Sequence, residues 1–249
     1  MTASCPPDTL LLIADLHLSP QRPELTRAFL RFLDEQAKGA QALYILGDFA
    51  DAWIGDDDDT PLYAELAAAL HHLSTSGTAI FFLHGNRDFL LGQDYAASCG
   101  ARLLDEPLRL SHLGQDYLLL HGDILCTRDS AYLAFRQQVR APAWQRDFLS
   151  KLLAERRAFA AAARAQSKSM SSNKAQDIMD VTPEAVLDLM QEQGVTTLIH
   201  GHTHRPKVHE FKLHGSPARR IVLGDWREHE TWYARIDAAG VSLERFVYG

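Results

Sequence analysis

The stretch TLLLIADLH, residues 9–17, joins an apolar run to two polar side chains, and the same pattern recurs along the chain. A short apolar run predicts a buried strand, and the aspartate and histidine follow where that strand would end. Further apolar runs, each followed by Asp, Asn or His, lie at residues 42–46, 79–83, 117–120 and 197–200. Because ligands collect at strand ends in α/β sheets, the sequence predicts one site built from several strands.

Segments with helical periodicity lie between several of these strands. They cover residues 24–38, 61–73 and 183–193. The second and third begin with a Thr-Pro pair, in which Thr is the expected N-cap and Pro the first helical residue. Two more strands are predicted at residues 220–223 and 231–236. The alternation of strands and helices predicts an α/β protein, with residues 1–249 as a single domain.

The composition excludes several classes of protein. The 249 residues carry a net charge of −7, which disfavours a general nucleic-acid binder. The three cysteines (Cys5, Cys99 and Cys126) are odd in number and far apart, so neither a disulfide framework nor a CxxC metal site is expected. No apolar run is long enough for a transmembrane helix, and the first residues do not form a secretory signal. A cytoplasmic protein is expected.

One segment differs sharply from the rest in charge. Residues 127–174, hereafter the insertion, hold ten basic and three acidic residues, a net +7 in a chain of total charge −7. Aromatic and leucine side chains are interleaved with these charges. A basic amphipathic segment suits an anionic ligand or an anionic membrane surface, although a helical pair with solvated charges fits equally well. The acidic run at residues 56–59 is interpreted as a solvated loop.

Five short motifs supply seven candidate metal ligands. They are DLH, GD, GNRD, HGD and GHTH, and the candidate ligands are Asp15, His17, Asp48, Asn86, His121, His202 and His204. In an extended segment, side chains two residues apart share a face, so each of the pairs in DLH and GHTH is expected to reach one ion. Carboxylate, amide and imidazole ligands suit Mn²⁺, Fe²⁺, Co²⁺ or Zn²⁺. Seven ligands imply two ions, which suits hydrolysis of a phosphoester or phosphoanhydride.

The order of these motifs resembles the calcineurin-like metallophosphoesterase superfamily. The resemblance implies a β-sandwich flanked by helices, with two metal ions, expected to be Mn²⁺, at the strand ends. It implies that one ion is held by Asp15, His17, Asp48 and His204. It implies that the other is held by Asp48, Asn86, His121 and His202, with Asp48 bridging the two.

The chain departs from the superfamily at one position. The usual motif is GNH followed by an acid, whereas this chain has Gly85-Asn86-Arg87-Asp88. An arginine cannot act as a general acid near neutral pH, but it can hold phosphate oxygens through two parallel hydrogen bonds. Arg87 therefore favours a leaving group that is easily expelled, such as a phosphate monoester released from a diphosphate. Asp48, Asn86, Arg87 and His121 are the expected catalytic residues.

Longer runs narrow the resemblance to one family. ALYILGDF, WIGDD, HGNRDFLL, HGDILCT, IMDV and LIHGHTHRP, between residues 42 and 206, resemble the UDP-2,3-diacylglucosamine pyrophosphatases of Gram-negative lipid A biosynthesis. This implies hydrolysis of that lipid nucleotide at its α-phosphate and peripheral binding to the cytoplasmic face of the inner membrane. No nucleic acid and no obligate protein partner are expected. The insertion becomes a helical lid for the acyl chains. The expected substrate contacts are Asn86, Arg87, Asp129, Ser167, Ser171, Lys174 and His202.

Two other functions remain open on sequence alone. One is a phosphodiesterase or phosphatase acting on a soluble nucleotide or phosphoprotein, which gives no reason for a basic amphipathic insertion. The other is a non-catalytic scaffold with the same fold, for which the loss of several ligands would be expected. All seven candidate ligands are present.

Overall fold

Two β-sheets form the centre of the protein in a computed structural model, which describes residues 6, 8–173 and 180–248, with side chains for all but 166 and 168–173. The strands are β1 (Leu10–Ile13), β2 (Ala42–Leu46), β3 (Ala79–Leu83), β4 (Ala101–Leu103), β5 (Leu108–His112), β6 (Gln115–Leu120), β7 (Thr197–His200), β8 (Lys207–Leu213), β9 (Ser216–Val222), β10 (Glu230–Asp237) and β11 (Gly240–Val247). The first sheet has the order β11-β10-β1-β2-β3-β4, and the second β5-β6-β7-β9-β8.

Seven α-helices are found in the described part of the chain. They are α1 (Pro23–Phe32), α2 (Pro61–Thr75), α3 (Gln93–Ser98), α4 (Ser130–Val139), α5 (Pro142–Leu149), α6 (Leu153–Asn173) and α7 (Pro183–Gln193). A π-helical turn at Leu33–Ala37 extends α1. Within these residues, no helix is both long and apolar enough to cross a membrane.

The sheets and helices pack as four layers with three cores. Successive side chains of a strand point to opposite faces, so Leu11 of β1 packs towards α1 and α2 while Leu12 packs towards the second sheet. Ile199 of β7 meets the first sheet in that central core. Met190 of α7 covers the outer face of the second sheet. The β-sandwich flanked by helices that the resemblance implied is confirmed.

The local predictions agree closely with the observed elements. All seven predicted strands and all three predicted helices are confirmed, with ends shifted by a few residues. Thr60 and Thr182 precede α2 and α7 as expected, but neither hydroxyl caps its helix. Elements that were not predicted are β4, β5, β8, β11 and α3.

The insertion forms α4, α5 and α6, and two adjacent arginines of α6 hold it against the loop after β2. Arg156 is 2% exposed and bonds to Asp57 and to the Ile54 carbonyl oxygen at 2.7 Å. Arg157 pairs with Asp58 and Asp59. Residues 56–59 do form a loop with exposed carboxylates, as predicted, but these carboxylates also pair with the arginines and offset the positive charge of the insertion.

Candidate metal centre

The five motifs meet at one edge of the two sheets. DLH, GD and GNRD follow β1, β2 and β3, which are parallel neighbours in the first sheet. HGD and GHTH follow β6 and β7, which are parallel neighbours in the second. Parallel neighbours end at the same edge, so the loops of both sheets converge on one place.

Most of the candidate ligands lie in left-handed backbone. Positive φ angles of 49° to 69° occur at Asp15, His17, Asp48, His202 and His204. Such angles are uncommon for residues other than glycine and cluster at functional sites. The expectation that the paired ligands point the same way from extended segments is therefore wrong. Each pair is aimed instead by two tight left-handed bends.

Glycines let the ligand loops touch one another. A Cβ atom on Gly85 would collide with the backbone nitrogen and carboxylate of Asp48. A Cβ on Gly201 would collide with the carboxylate of Asp15. These glycines are required by close approach, which explains why the GNRD and GHTH motifs contain them.

Four candidate ligands form a first cluster. His17 Nε2 lies 3.2 Å from His204 Nε2 and 3.8 Å from Asp48 Oδ2. His204 Nε2 lies 3.5 Å from Asp15 Oδ1. The set Asp15, His17, Asp48 and His204 thus directs two imidazoles and two carboxylates at a common point.

The other candidates, together with Asp48, form a second cluster. Asn86 Oδ1 lies 2.9 Å from both His121 Nε2 and His202 Nδ1, and those two nitrogens are 3.2 Å apart. Asp48 Oδ1 lies 3.7 Å from His121 Nε2. One oxygen of Asp48 therefore faces each cluster, as a bridging ligand would require.

The donor set fits a divalent cation. Asp15 Oδ1 is buried and has no hydrogen-bond partner among the described residues. His121 Nδ1 lies 2.9 Å from the Leu46 carbonyl oxygen and donates to it, which leaves Nε2 to face the cluster. Carboxylate, amide and imidazole atoms gathered around a common point are a ligand set that suits a divalent cation.

Asp48 and His121 both have raised pKa values, so each binds a proton more tightly than the free side chain does. Burial raises the pKa of Asp48 to about 7. Burial alone would lower the pKa of His121, but the charges of Asp48 and Asp15 outweigh it and raise that pKa to about 9. Binding of a cation would displace these protons, so the affinity for metal should fall as the pH falls.

Arg87, which follows Asn86 in the sequence, borders a cleft of about 730 Å³. Its backbone N–H donates to Asp48 Oδ1 at 2.8 Å. Its side chain lines the cleft with Arg164 and Ser167 of α6. Arg164 is paired with Asp51, whereas the buried Nε of Arg87 has no partner in the described part of the chain. Arg87 is thus available to an anion in the cleft.

The predicted substrate contacts are only partly gathered here. Asp129 is the N-cap of α4 and accepts a hydrogen bond from the Tyr132 N–H at 3.1 Å. The Ser171 side chain and Lys174 lie outside the described residues.

Two aspartates that contact the site were not among the predicted site residues. Asp88 is buried and accepts hydrogen bonds from the backbone N–H groups of Phe49 and Gly85, each at 2.7 Å, which ties the GD and GNRD loops together. Asp225 Oδ2 lies 3.7 Å from His204 Nδ1, on the ring edge away from the cluster. The position of Asp88 inside the GNRD motif was the one available clue.

The chain is similar to one protein family and to several named proteins. The family model for calcineurin-like phosphoesterases matches residues 9–206. A Cellvibrio japonicus protein named UDP-2,3-diacylglucosamine hydrolase is 55% identical over 236 residues, covering 95% of this chain and 98% of its own. Proteins of the same name from Chromohalobacter salexigens and Pseudomonas putida are 51% and 48% identical, covering 96% of this chain and 98% and 99% of their own.

Proposed function

The chain belongs to the calcineurin-like phosphoesterase family, and from this we propose that it hydrolyses UDP-2,3-diacylglucosamine to UMP and 2,3-diacylglucosamine 1-phosphate. The main support is the double cluster of carboxylates and imidazoles beside a cleft with a free guanidinium. The name shared by relatives of 48–55% identity over nearly the whole chain supports the substrate. A water oxygen bonds to the α-phosphorus, and the bridging oxygen leaves with the β-phosphate.

The proposed centre holds two divalent cations, with Mn²⁺ as the proposed metal. Asp15, His17, Asp48 and His204 would hold one, and Asp48, Asn86, His121 and His202 the other. When bound, such ions lower the pKa of water and neutralise charge on phosphate oxygens. Hydrogen bonds between the loops, such as those that Asp88 accepts from the Phe49 and Gly85 N–H groups, hold these ligands in position.

Arg87 is proposed to orient the diphosphate. Its guanidinium stays charged at any pH of interest and can bond two phosphate oxygens at once. No acid is needed for the leaving group, because a departing phosphate is stable without an added proton. Further substrate contacts are proposed at two ligands, Asn86 and His202, and at four residues of the insertion, Asp129, Ser167, Ser171 and Lys174.

The insertion is proposed to receive the acyl chains and to meet the membrane on its cytoplasmic face. Ala160, Ala161 and Ala165 of α6 form a small, apolar part of the cleft wall. Exposed apolar side chains on the inserted helices and the α5–α6 connection are Phe135, Leu149, Leu152 and Phe159. Together with the positive charge of the insertion, they suit shallow binding to an anionic lipid surface.

Binding to vesicles that contain anionic lipid should weaken as salt is raised, because the basic charges of the insertion are screened. Leu152, which is 73% exposed, should contribute by burial of its side chain, so Leu152→Ser should weaken binding about tenfold. Co-sedimentation measures both effects. The matched control is Leu113→Ser, at a 50% exposed leucine outside the insertion. Vesicle binding that changed neither with salt nor with Leu152→Ser would contradict the proposed membrane-binding surface.

The test of the function is an assay of UMP release from UDP-2,3-diacylglucosamine. We expect turnover with Mn²⁺, none after treatment with EDTA, and recovery when Mn²⁺ is restored. Cleavage of a simple phosphodiester without turnover of the lipid would contradict the substrate but keep the chemistry. Failure of the protein to bind Mn²⁺ at all would favour a non-catalytic scaffold.

A further inference from the structure

Helix α4 of the insertion is hydrogen-bonded to the loop that carries His121. Arg136 Nε donates to Asp123 Oδ2 at 2.8 Å, and Arg136 Nη2 donates to Glu106 Oε1 at 2.7 Å. The other oxygen of Glu106 accepts from the His121 backbone N–H at 2.9 Å. Since Asp123 follows His121 by two residues, one guanidinium holds this loop directly at one point and through Glu106 at another.

The same helix contacts the loops of Asn86 and His202. Arg140 Nη2 donates to the carbonyl oxygen of Gly85 at 2.9 Å, next to Asn86. The ring of Tyr132 lies nearly parallel to that of His202, with centroids 6.3 Å apart, and its hydroxyl donates to Asp123. These contacts all involve the loops that carry Asn86, His121 and His202, which are ligands of the second cluster.

The charges of this network balance and are largely removed from water. Asp123 has a side chain that is 0% exposed, Glu106 7%, and Arg136 20%. With Arg140, 3.8 Å from Glu106 Oε1, two guanidinium groups face two carboxylates. A buried ion network of this kind adds little to stability compared with an apolar substitute, but it fixes the orientation of the groups it joins.

We propose that Arg136 and Glu106 are positioning residues for the second cluster, so that the insertion supports metal binding as well as covering the substrate. Arg136 acts through Glu106 and Asp123 on the backbone of His121. The inference rests on the proposed function in one respect, that the cluster of Asn86, His121 and His202 binds a divalent cation.

The test measures Mn²⁺ binding to the metal-free full-length protein by equilibrium dialysis, beside urea unfolding in EDTA. Wild type should bind two ions. Arg136→Met should bind one ion as wild type does and the other about 10–100-fold more weakly, the usual effect of losing an outer partner of a ligand. The Mn²⁺ binding curve of Arg136→Met should resemble that of Asn86→Ala, which lacks a ligand of the second cluster. It should differ from that of His17→Ala, which lacks a ligand of the first cluster. Saturating Mn²⁺ should restore most of the turnover of Arg136→Met.

Further variants separate positioning from general stability. Glu106→Gln removes the charge that Arg136 contacts, so it should weaken the same ion, and the double variant should be little worse than either single one. Arg136→Lys should recover part of the affinity. Arg109→Met is the matched control, because Arg109 pairs with Asp116 at 2.7 Å on the exposed β5–β6 hairpin.

The possible results are distinct. Equal weakening of both ions, or the same weakening in Arg109→Met, would overturn the inference and leave the proposed function intact. If Arg136→Met does not fold, unchanged binding by Glu106→Gln overturns the inference in the same way. A wild-type protein that binds no Mn²⁺ would overturn the proposed function and this inference with it.

Discussion

Replacing Asp48 with alanine should lower kcat/KM for UDP-2,3-diacylglucosamine by about three orders of magnitude. Asp48 directs one carboxylate oxygen towards His17 in the first cluster and the other towards His121 in the second. Its loss removes a ligand from each proposed ion, and metal ions supply several kcal/mol of charge stabilisation to phosphoryl transfer. About 4 kcal/mol corresponds to this thousandfold loss.

The fold should survive the loss of Asp48, which separates a chemical effect from a structural one. Asp48 is a buried carboxylate flanked by Asp15 and Asp88, and both raise its pKa. Asp48→Asn keeps an oxygen that can accept from the Arg87 N–H while removing that charge. In EDTA its free energy of unfolding should equal or exceed that of wild type. Full turnover by Asp48→Asn, or its unfolding at low urea, would contradict this account.

The second large effect is expected at Arg87. Arg87→Met should lower kcat/KM about 10²–10³-fold, the range seen when one preorganised donor to a developing anion is removed. The backbone N–H of Arg87 holds Asp48 whatever the side chain, so the metal centre should stay intact. Mn²⁺ stoichiometry measured beside the kinetics should therefore remain at two.

Lysine at position 87 tests the role of the paired hydrogen bonds. Arg87→Lys retains the charge but loses the planar fork, so it should recover about tenfold of the loss and no more. Full activity of the lysine variant would show that charge alone is sufficient. Activity of Arg87→Met within threefold of wild type would exclude Arg87 from the phosphate site. Arg157→Met, at a paired arginine of the same cleft, is the control for general changes of charge.

The strands that support the site could be predicted because they are buried on both faces. β2, for example, has five buried residues in succession, and its limits match the prediction. The edge strands β5 and β8 alternate between half-buried and exposed residues, so their apolar signal is weak. α3 has only six residues, too few for a helical period to show.

The identity of the candidate ligands was readable from the sequence, but their geometry was not. Local motifs mark each ligand, because Asp, Asn or His stands beside glycine after an apolar run. At the left-handed bends of Asp15 and His17, the backbone N–H groups donate to carbonyl oxygens of Gly47 and Asp48 in another loop. The hydrogen bonds from Arg136 to Glu106 and Asp123 join residues that are far apart in the sequence, and Arg136 and Glu106 lie outside the five motifs. No local pattern therefore predicts these bonds.

The left-handed bends also place opposite demands on thermal stability and on catalytic activity. Each residue with this left-handed backbone lowers the free energy of unfolding by about 1–3 kcal/mol. Glycine or asparagine at the same position would relieve part of that strain. Substitutions at these positions would therefore raise thermal stability most readily, but catalysis needs Asp or His there. Laboratory evolution that screens only for heat-resistant protein should accumulate inactive variants at His17 and His204. A screen that demands turnover in every round should keep both histidines and find its gains elsewhere.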